Sequence, residues 1–162
     1  MSTSPDETMI RWAAERARML YDGVRVAHRS CGVAIAETFD RDGRPYVGLR
    51  KGGLTGTGPC GAILAGKLVL GEVLGDPDPH AKATPALIAA ASRFDALLAE
   101  RMGLAAGASV PICAQLTAPL GEFTGTRRHG FCRDLAADVA EIVARVLTEQ
   151  GVSIRALEEP TA

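Results

Sequence analysis

Four cysteines are the residues of this chain best suited to chemistry: Cys31, Cys60, Cys113 and Cys132. The residues ahead of them, such as Ser30 and Pro59, are typical of a helix N-terminus, so the sequence predicts that each cysteine lies where a helix begins. A helix start carries partial positive charge and unpaired N–H groups, which favour the thiolate that binds metals or attacks disulfides. The set therefore predicts a metal or redox site. The alternative is that these cysteines fill the core as small apolar side chains.

The spacing of the cysteines leaves three kinds of site open. No Cys-x-x-Cys pair is present in the sequence, so neither a zinc ribbon nor a thioredoxin-like motif is supported. Cysteines on separate helices can still converge in a bundle, where four thiolates could hold an iron–sulfur cluster or a tetrahedral zinc ion. Without a metal, pairs of the same thiols could cycle between dithiol and disulfide.

Several other residues could support or surround such a site. His28 and His129 each lie three residues before a cysteine. Each could be an extra metal ligand, a base for the thiol or a loop histidine with no role at the site. The Arg127-Arg128 pair is interpreted as solvated loop. The glycine-rich run at 52–58 lacks a nucleotide-binding pattern, and it is expected to let backbone approach a buried group near Cys60.

The hydrophobic pattern predicts an all-α, single-domain helical bundle of about five helices over residues 1–162. Its ordered core would span about 5–151, and the tail at 152–162 would fray. The first predicted helix runs from Pro5 to about Tyr21, and the second begins at about Ser30. The third covers Cys60–Leu74, and the fourth begins at Thr84-Pro85 and carries a stripe of apolar residues that reaches Met102. A short helix over Cys113–Leu120 and a last helix from about Cys132 to Gln150 complete the bundle. One short hairpin is expected near residues 42–50, at the Asp42-Gly43 turn dipeptide.

Composition excludes some classes of partner. The net charge of −1 gives no electrostatic argument for binding nucleic acid or a membrane surface. The N-terminus is polar without a secretory signal pattern, and the most apolar stretch, Ala62–Leu74, is interrupted by Lys67 and Glu72. The expected location is the cytoplasm, where cysteines are usually reduced, metal-bound or catalytic.

The order of the cysteines resembles the family of redox-active proteins named for a C, GCAxxG, C, C pattern. The resemblance is carried by Cys31, by the segment Cys60–Gly66 leading into Leu68–Gly71, and then by Cys113 and Cys132. The literal GCAxxG string is absent, because Pro59 rather than glycine precedes the second cysteine, and the following glycine, Gly66, lies one position later than the pattern requires. The resemblance implies a helical bundle with a redox or metal-binding role, and some members look like iron–sulfur carriers through matching cysteines.

The leading hypothesis is a small redox or electron-transfer protein with an iron–sulfur cluster, [2Fe–2S] favoured, on Cys31, Cys60, Cys113 and Cys132. The alternatives are a metal-free thiol–disulfide oxidoreductase and a structural zinc-binding interaction module. The partner would be an unidentified redox protein. The Gly/Ala surface of the Cys60–Leu74 helix predicts either a homodimer or close packing inside the monomer.

Overall fold

Residues 4–160 are described by a computed structural model, and within them the chain is all-α, with no strand. Within this range there are seven α-helices rather than about five. Six of them lie where the sequence predicts a helix, including the short one at Cys113–Thr117, and the helix that was not predicted is the four-residue Arg50–Gly53. The helices are α1 (Pro5–Asp22), α2 (Cys31–Thr38), α3 (Arg50–Gly53), α4 (Gly61–Leu74), α5 (Pro85–Met102), α6 (Cys113–Thr117) and α7 (Thr126–Glu149), with 3-10 turns at Arg44–Leu49 and Ala118–Leu120. None of the helices in this range is both long and apolar enough to span a bilayer.

Local capping signals fix the ends of α1 and α5. The Ser4 hydroxyl accepts a hydrogen bond from the Glu7 backbone N–H at 3.2 Å, and α1 ends at Gly23, whose φ of 76° is left-handed. The Thr84 hydroxyl accepts from the Leu87 N–H at 3.1 Å in the same way. These caps satisfy N–H groups that the helix itself leaves unpaired. The predicted boundaries of both helices are therefore confirmed to within about one residue.

The core is built around α7, which packs along α1 and also contacts α2, α4 and α5. Small side chains allow these helices to approach closely. A Cβ at Gly66 of α4 would lie 2.9 Å from both Phe94 and Val139, so glycine lets those side chains pack directly against the helix. The Gly/Ala surface of α4, including Ala62 and Ala65, is buried inside the monomer. That surface is therefore not available as the basis of a homodimer.

The hairpin predicted near residues 42–50 is wrong, because this segment forms a 3-10 helix over Arg44–Leu49. Asp42 closes a local turn by accepting the Arg44 N–H at 3.0 Å. Pro45, which has no N–H to give to a strand ladder, follows at the helix start. Tyr46 is buried, and its hydroxyl donates to the Glu72 carboxylate on α4. Tertiary burial of one aromatic side chain thus decides the structure of the segment.

The predicted start of the last helix at Cys132 is also wrong, because α7 begins at Thr126 with Gly125 as its N-cap. Gly130 lies inside the helix without ending it, and a Cβ there would meet no atom within 4 Å. Cys132 is consequently an internal helical residue. The interpretation that all four cysteines begin helices holds for Cys31, Cys60 and Cys113 only, with Cys60 in the N-cap position.

The described part of the tail, 152–160, runs without helix and returns to α1. The Val152 N–H donates to the Leu147 carbonyl at 2.9 Å, and Arg16 of α1 donates to the Glu158 carbonyl at 2.9 Å. Residues 161 and 162 of the tail that was expected to fray lie outside the described residues. Fraying of this segment stays a prediction.

Candidate functional site

One cavity of about 260 Å³ is lined by all four cysteines. They arrive from separate elements: Cys31 from the start of α2, Cys60 from the N-cap of α4, Cys113 from the start of α6 and Cys132 from within α7. All are free thiols; Cys60 and Cys113 are buried and the other two are partly buried. The structure thus brings the sequence-predicted site residues to one place.

Backbone pairing ties together the segments that carry Cys60 and Cys113. The Cys60 N–H donates to the Pro111 carbonyl at 2.8 Å, and the Cys113 N–H donates to the Gly58 carbonyl at 3.0 Å. These bonds flank a single antiparallel bridge between Pro59 and Ile112. Two cysteines far apart in sequence are therefore held by main-chain hydrogen bonds, which do not depend on either side chain.

Glycines make the close approach around the cysteines possible. A Cβ at Gly52, whose φ is 57°, would lie 2.6 Å from the Gly58 carbonyl oxygen and 2.8 Å from Cβ of Cys113. A Cβ at Gly61 would lie 2.1 Å from the Leu49 carbonyl oxygen and 3.1 Å from Sγ of Cys31. Within the glycine-rich run, Gly52 and Gly58 make such close approaches, whereas a Cβ at Gly53 would meet no atom within 4 Å.

Burial dominates the acidity of the thiols. It raises the pKa of Cys31 to about 12 and that of Cys60 to about 11, and it raises the pKa of Cys132 as well. Backbone N–H groups oppose this effect, from Gly32 on Cys31 and from Ala62 and Ile63 on Cys60, without overcoming it. For Cys31 and Cys60 in the metal-free chain, the expectation that a helix start makes the thiol ionise easily is therefore wrong, because desolvation penalises the thiolate more than the helix end favours it.

Three aromatic rings form one wall of the cavity. Tyr21 packs against His28 and His129 with ring centroids 4.8 and 5.1 Å away, and the two histidine rings are 5.7 Å apart. Tyr21 and Cys132 line the same cavity, and burial, with a smaller contribution from Cys132, raises the pKa of the tyrosine. His28 donates from Nδ1 to the Tyr21 carbonyl oxygen. The histidines singled out by their spacing thus lie at the site, whereas Tyr21 was missed by the sequence analysis.

Arg128 is the main functional residue that the sequence analysis missed, and its interpretation as solvated loop is wrong. Its side chain is only 6% exposed. Nη1 donates to the Phe123 carbonyl at 2.9 Å, Nη2 lies 3.8 Å from Sγ of Cys113, and the guanidinium stands 3.6 Å from the centre of the Phe123 ring. The available signal was its position four residues before Cys132, which places both residues on one side of a helix. Arg127, by contrast, is exposed.

The arrangement differs from that of a single-ion metal centre. Between residues 4 and 160, no three Cys, His, Asp or Glu side chains come close enough to surround one metal ion. A structural zinc site needs four ligands on one ion. An iron–sulfur cluster takes four thiolates distributed over several irons. The residues between 4 and 160 therefore contain no group already arranged around a single metal ion.

Comparison of the chain with protein-family models, with curated proteins and with solved structures finds no match. Membership of the C, GCAxxG, C, C family stays a prediction. Function is inferred below from the chemistry of the cavity.

Proposed function

We propose that this chain is a small redox protein that transfers electrons and holds an iron–sulfur cluster on Cys31, Cys60, Cys113 and Cys132. The observation that carries the proposal is that four free thiols from separate segments line one cavity of about 260 Å³. When bound, such a cluster would supply one-electron transfer. We favour [2Fe–2S], in which each iron takes two thiolates, because backbone hydrogen bonds tie the Cys60 segment to the Cys113 segment and could support these two as one ligand pair.

The chain's own groups support an anionic occupant. A centre ligated by four thiolates is negatively charged, and the buried Arg128 guanidinium faces the same cavity. The backbone N–H groups of Gly32, Ala62 and Ile63 donate toward the sulfurs of Cys31 and Cys60. Hydrogen bonds of this kind orient metal-binding sulfurs and stabilise their thiolate form. Because the thiols must lose their protons to bind a metal, loading would release protons.

The two alternatives fit less well. A metal-free thiol–disulfide oxidoreductase needs an attacking thiolate, and the raised pKa values of about 12 for Cys31 and about 11 for Cys60 leave these thiols protonated at neutral pH. A structural zinc module needs its ligands grouped around one ion, and the described residues contain no such group of three. The cluster is therefore the best supported of the three.

The test is purification without air, or reconstitution with iron and sulfide, followed by an absorption spectrum and metal analysis. The expected result is a brown protein with bound iron. Cys60→Ser should lose iron and colour, since a hydroxyl is a hard ligand that stays protonated near neutral pH. We expect a larger loss than for the other cysteines, because Cys60 is buried and bonded by two backbone N–H groups.

The fold of each variant is checked by urea unfolding of the metal-free form, and exposed Ser153→Ala serves as a control that should keep full iron content. A colourless protein with stoichiometric zinc would replace the proposal with the zinc module. Disulfide exchange activity in a metal-free protein would replace it with the oxidoreductase. Full iron and full redox activity in Cys60→Ser would show that Cys60 is not a ligand.

A further inference from the structure

Arg128 is a buried cation with no carboxylate partner among residues 4–160. Its contacts are a carbonyl oxygen, a thiol and an aromatic ring, none of which carries a full negative charge in the metal-free chain. Arg16, which is also buried, differs because Glu37 and Asp40 lie near it. A buried charge ordinarily has an opposite charge beside it. The surroundings of Arg128 therefore fit a site for an anion.

Two more cations stand around the same aromatic ring. Lys51 Nζ lies 4.8 Å and the Arg50 guanidinium 5.9 Å from the centre of the Phe123 ring, against 3.6 Å for Arg128. Lys51 and Arg50 are exposed, and both line the cavity of the cysteines. Neither pairs with a carboxylate in the part of the chain that the structure describes. Positive charge thus continues from the surface to the buried Arg128.

The backbone holds this arrangement in place. Lys51 has a left-handed conformation with φ 51° and ψ 49°, which is uncommon for a residue with a Cβ. Its carbonyl accepts from the Gly56 N–H at 2.7 Å, and the next residue, Gly52, packs against Gly58 and Cys113. The loop that carries Lys51 is therefore tied to the segment that carries Cys113, so the lysine and this cysteine keep a common position.

We propose that Arg128 inside the cavity, with Lys51 and Arg50 at its surface, binds a small anion, a carboxylate or an oxyanion, beside Cys113. In the metal-free chain this anion takes the place beside Arg128 that the negatively charged metal centre would take when bound. The site is made by side chains of the metal-free chain, so the inference does not depend on the cluster. Its test uses metal-free protein, and its result is independent of iron content and colour.

The first measurement compares two alkylating reagents of similar size at Cys113, anionic iodoacetate and neutral iodoacetamide, with the product located by mass spectrometry. In both reactions the thiolate sulfur forms a bond to carbon and iodide leaves. Arg128→Gln should lower the ratio of the iodoacetate rate to the iodoacetamide rate by roughly tenfold, the scale of one close charge interaction in a partly solvated site. Arg127→Gln, which changes the exposed neighbour, should leave the ratio unchanged.

The second measurement uses sulfate as the probe at constant ionic strength, with chloride as the reference salt. Sulfate should protect Cys113 from iodoacetamide in the wild type and in Arg127→Gln, but not in Arg128→Gln. Should Arg128→Gln fail to fold, the double variant Lys51→Gln with Arg50→Gln tests the proposal instead, because it alters exposed side chains only. It should also lower the ratio of the iodoacetate rate to the iodoacetamide rate. An unchanged ratio in the folded variants, or equal protection by sulfate and chloride, overturns the proposal. A purely structural role for Arg128 would not distinguish reagents by their charge.

Discussion

The two halves of α4 use glycine for different purposes. At its first residue, Gly61 faces the Leu49 carbonyl and the Cys31 sulfur, at the edge of a cavity with polar walls. Further along, Gly66 faces the Phe94 ring and a Val139 methyl group in an aliphatic core. The two atoms nearest to Gly61 belong to the Leu49 backbone, which is fixed, whereas the atoms nearest to Gly66 are side-chain ends that can shift. The cavity is thus held by main-chain geometry and the core by adjustable packing.

The largest effect is expected for the alkylation rate of the cavity cysteines, because burial excludes water from their thiols as it does from core side chains. Burial disfavours the thiolate, so the pKa of about 12 for Cys31 leaves very little thiolate at pH 8. Its alkylation in the folded, metal-free protein should be about a thousandfold slower than in urea, where an ordinary thiol pKa of about 8.5 applies. The rate should rise roughly tenfold per pH unit up to about pH 11. Equal rates in the folded and unfolded protein would show that the cavity is open to water.

Gly61→Ala tests the main-chain geometry of the cavity. The new Cβ would lie 2.1 Å from a backbone oxygen, so backbone must move. We expect the free energy of unfolding to fall by about 3 kcal/mol, at the upper end for overpacking. Gly71→Ala is the matched control in the same helix, since a Cβ there meets no atom within 4 Å, and it should stabilise by about 0.5–1 kcal/mol. Urea unfolding of both variants measures the difference, and equal stabilities would contradict it.

Gly66→Ala tests whether the core adjusts as expected. The new Cβ would contact Phe94 and Val139 at 2.9 Å, and a small rotation of either side chain relieves the clash. The expected loss is about 1–2 kcal/mol, smaller than for Gly61→Ala. The same unfolding experiment measures it. A larger loss than for Gly61→Ala would reverse the comparison between the two halves of the helix.

The smallest effect is expected at an exposed ion pair between α1 and α7. The hydrogen bond from Arg145 lowers the pKa of Glu7, so the folded state favours the carboxylate. The resulting stabilisation is present above the ordinary glutamate pKa of about 4.3 and is lost as the pH falls through the lower folded value. Glu7→Gln should be slightly less stable than wild type at pH 7 and equal to it at about pH 2. A difference that persists in acid would assign the effect to packing instead.

The parts of the fold that the sequence predicts are those with local causes. Ser4 and Thr84 each cap a helix by accepting a hydrogen bond from the backbone N–H three residues later. Gly23 ends α1 because its own backbone adopts a left-handed conformation. The histidines near Cys31 and Cys132 also follow from spacing along the chain. Such signals lie within one turn of the residues they affect, so they can be recognised without the tertiary structure.

The parts that the sequence does not predict depend on contacts between distant segments. Tyr46 reaches Glu72 on another helix, and that burial replaces the expected hairpin with a 3-10 turn. Arg128 was assigned to a loop because α7 starts earlier than the apolar pattern of its later turns indicates. The acidity of Cys31 and Cys60 depends on solvent exclusion by the whole cavity. No local pattern contains these interactions.

The packing of α7 along α1 has a consequence for biosynthesis. Cys132 and Arg128 belong to α7, which is translated after the other helices that the structure describes, whereas Tyr21, which lines the same cavity, belongs to α1. A nascent chain displays Cys31, Cys60 and Cys113 before α7 has left the ribosome, and it also displays the apolar face of α1 that α7 later covers. The cavity closes only after translation of α7, so any ligand that needs all its walls enters after synthesis of the helical region is complete.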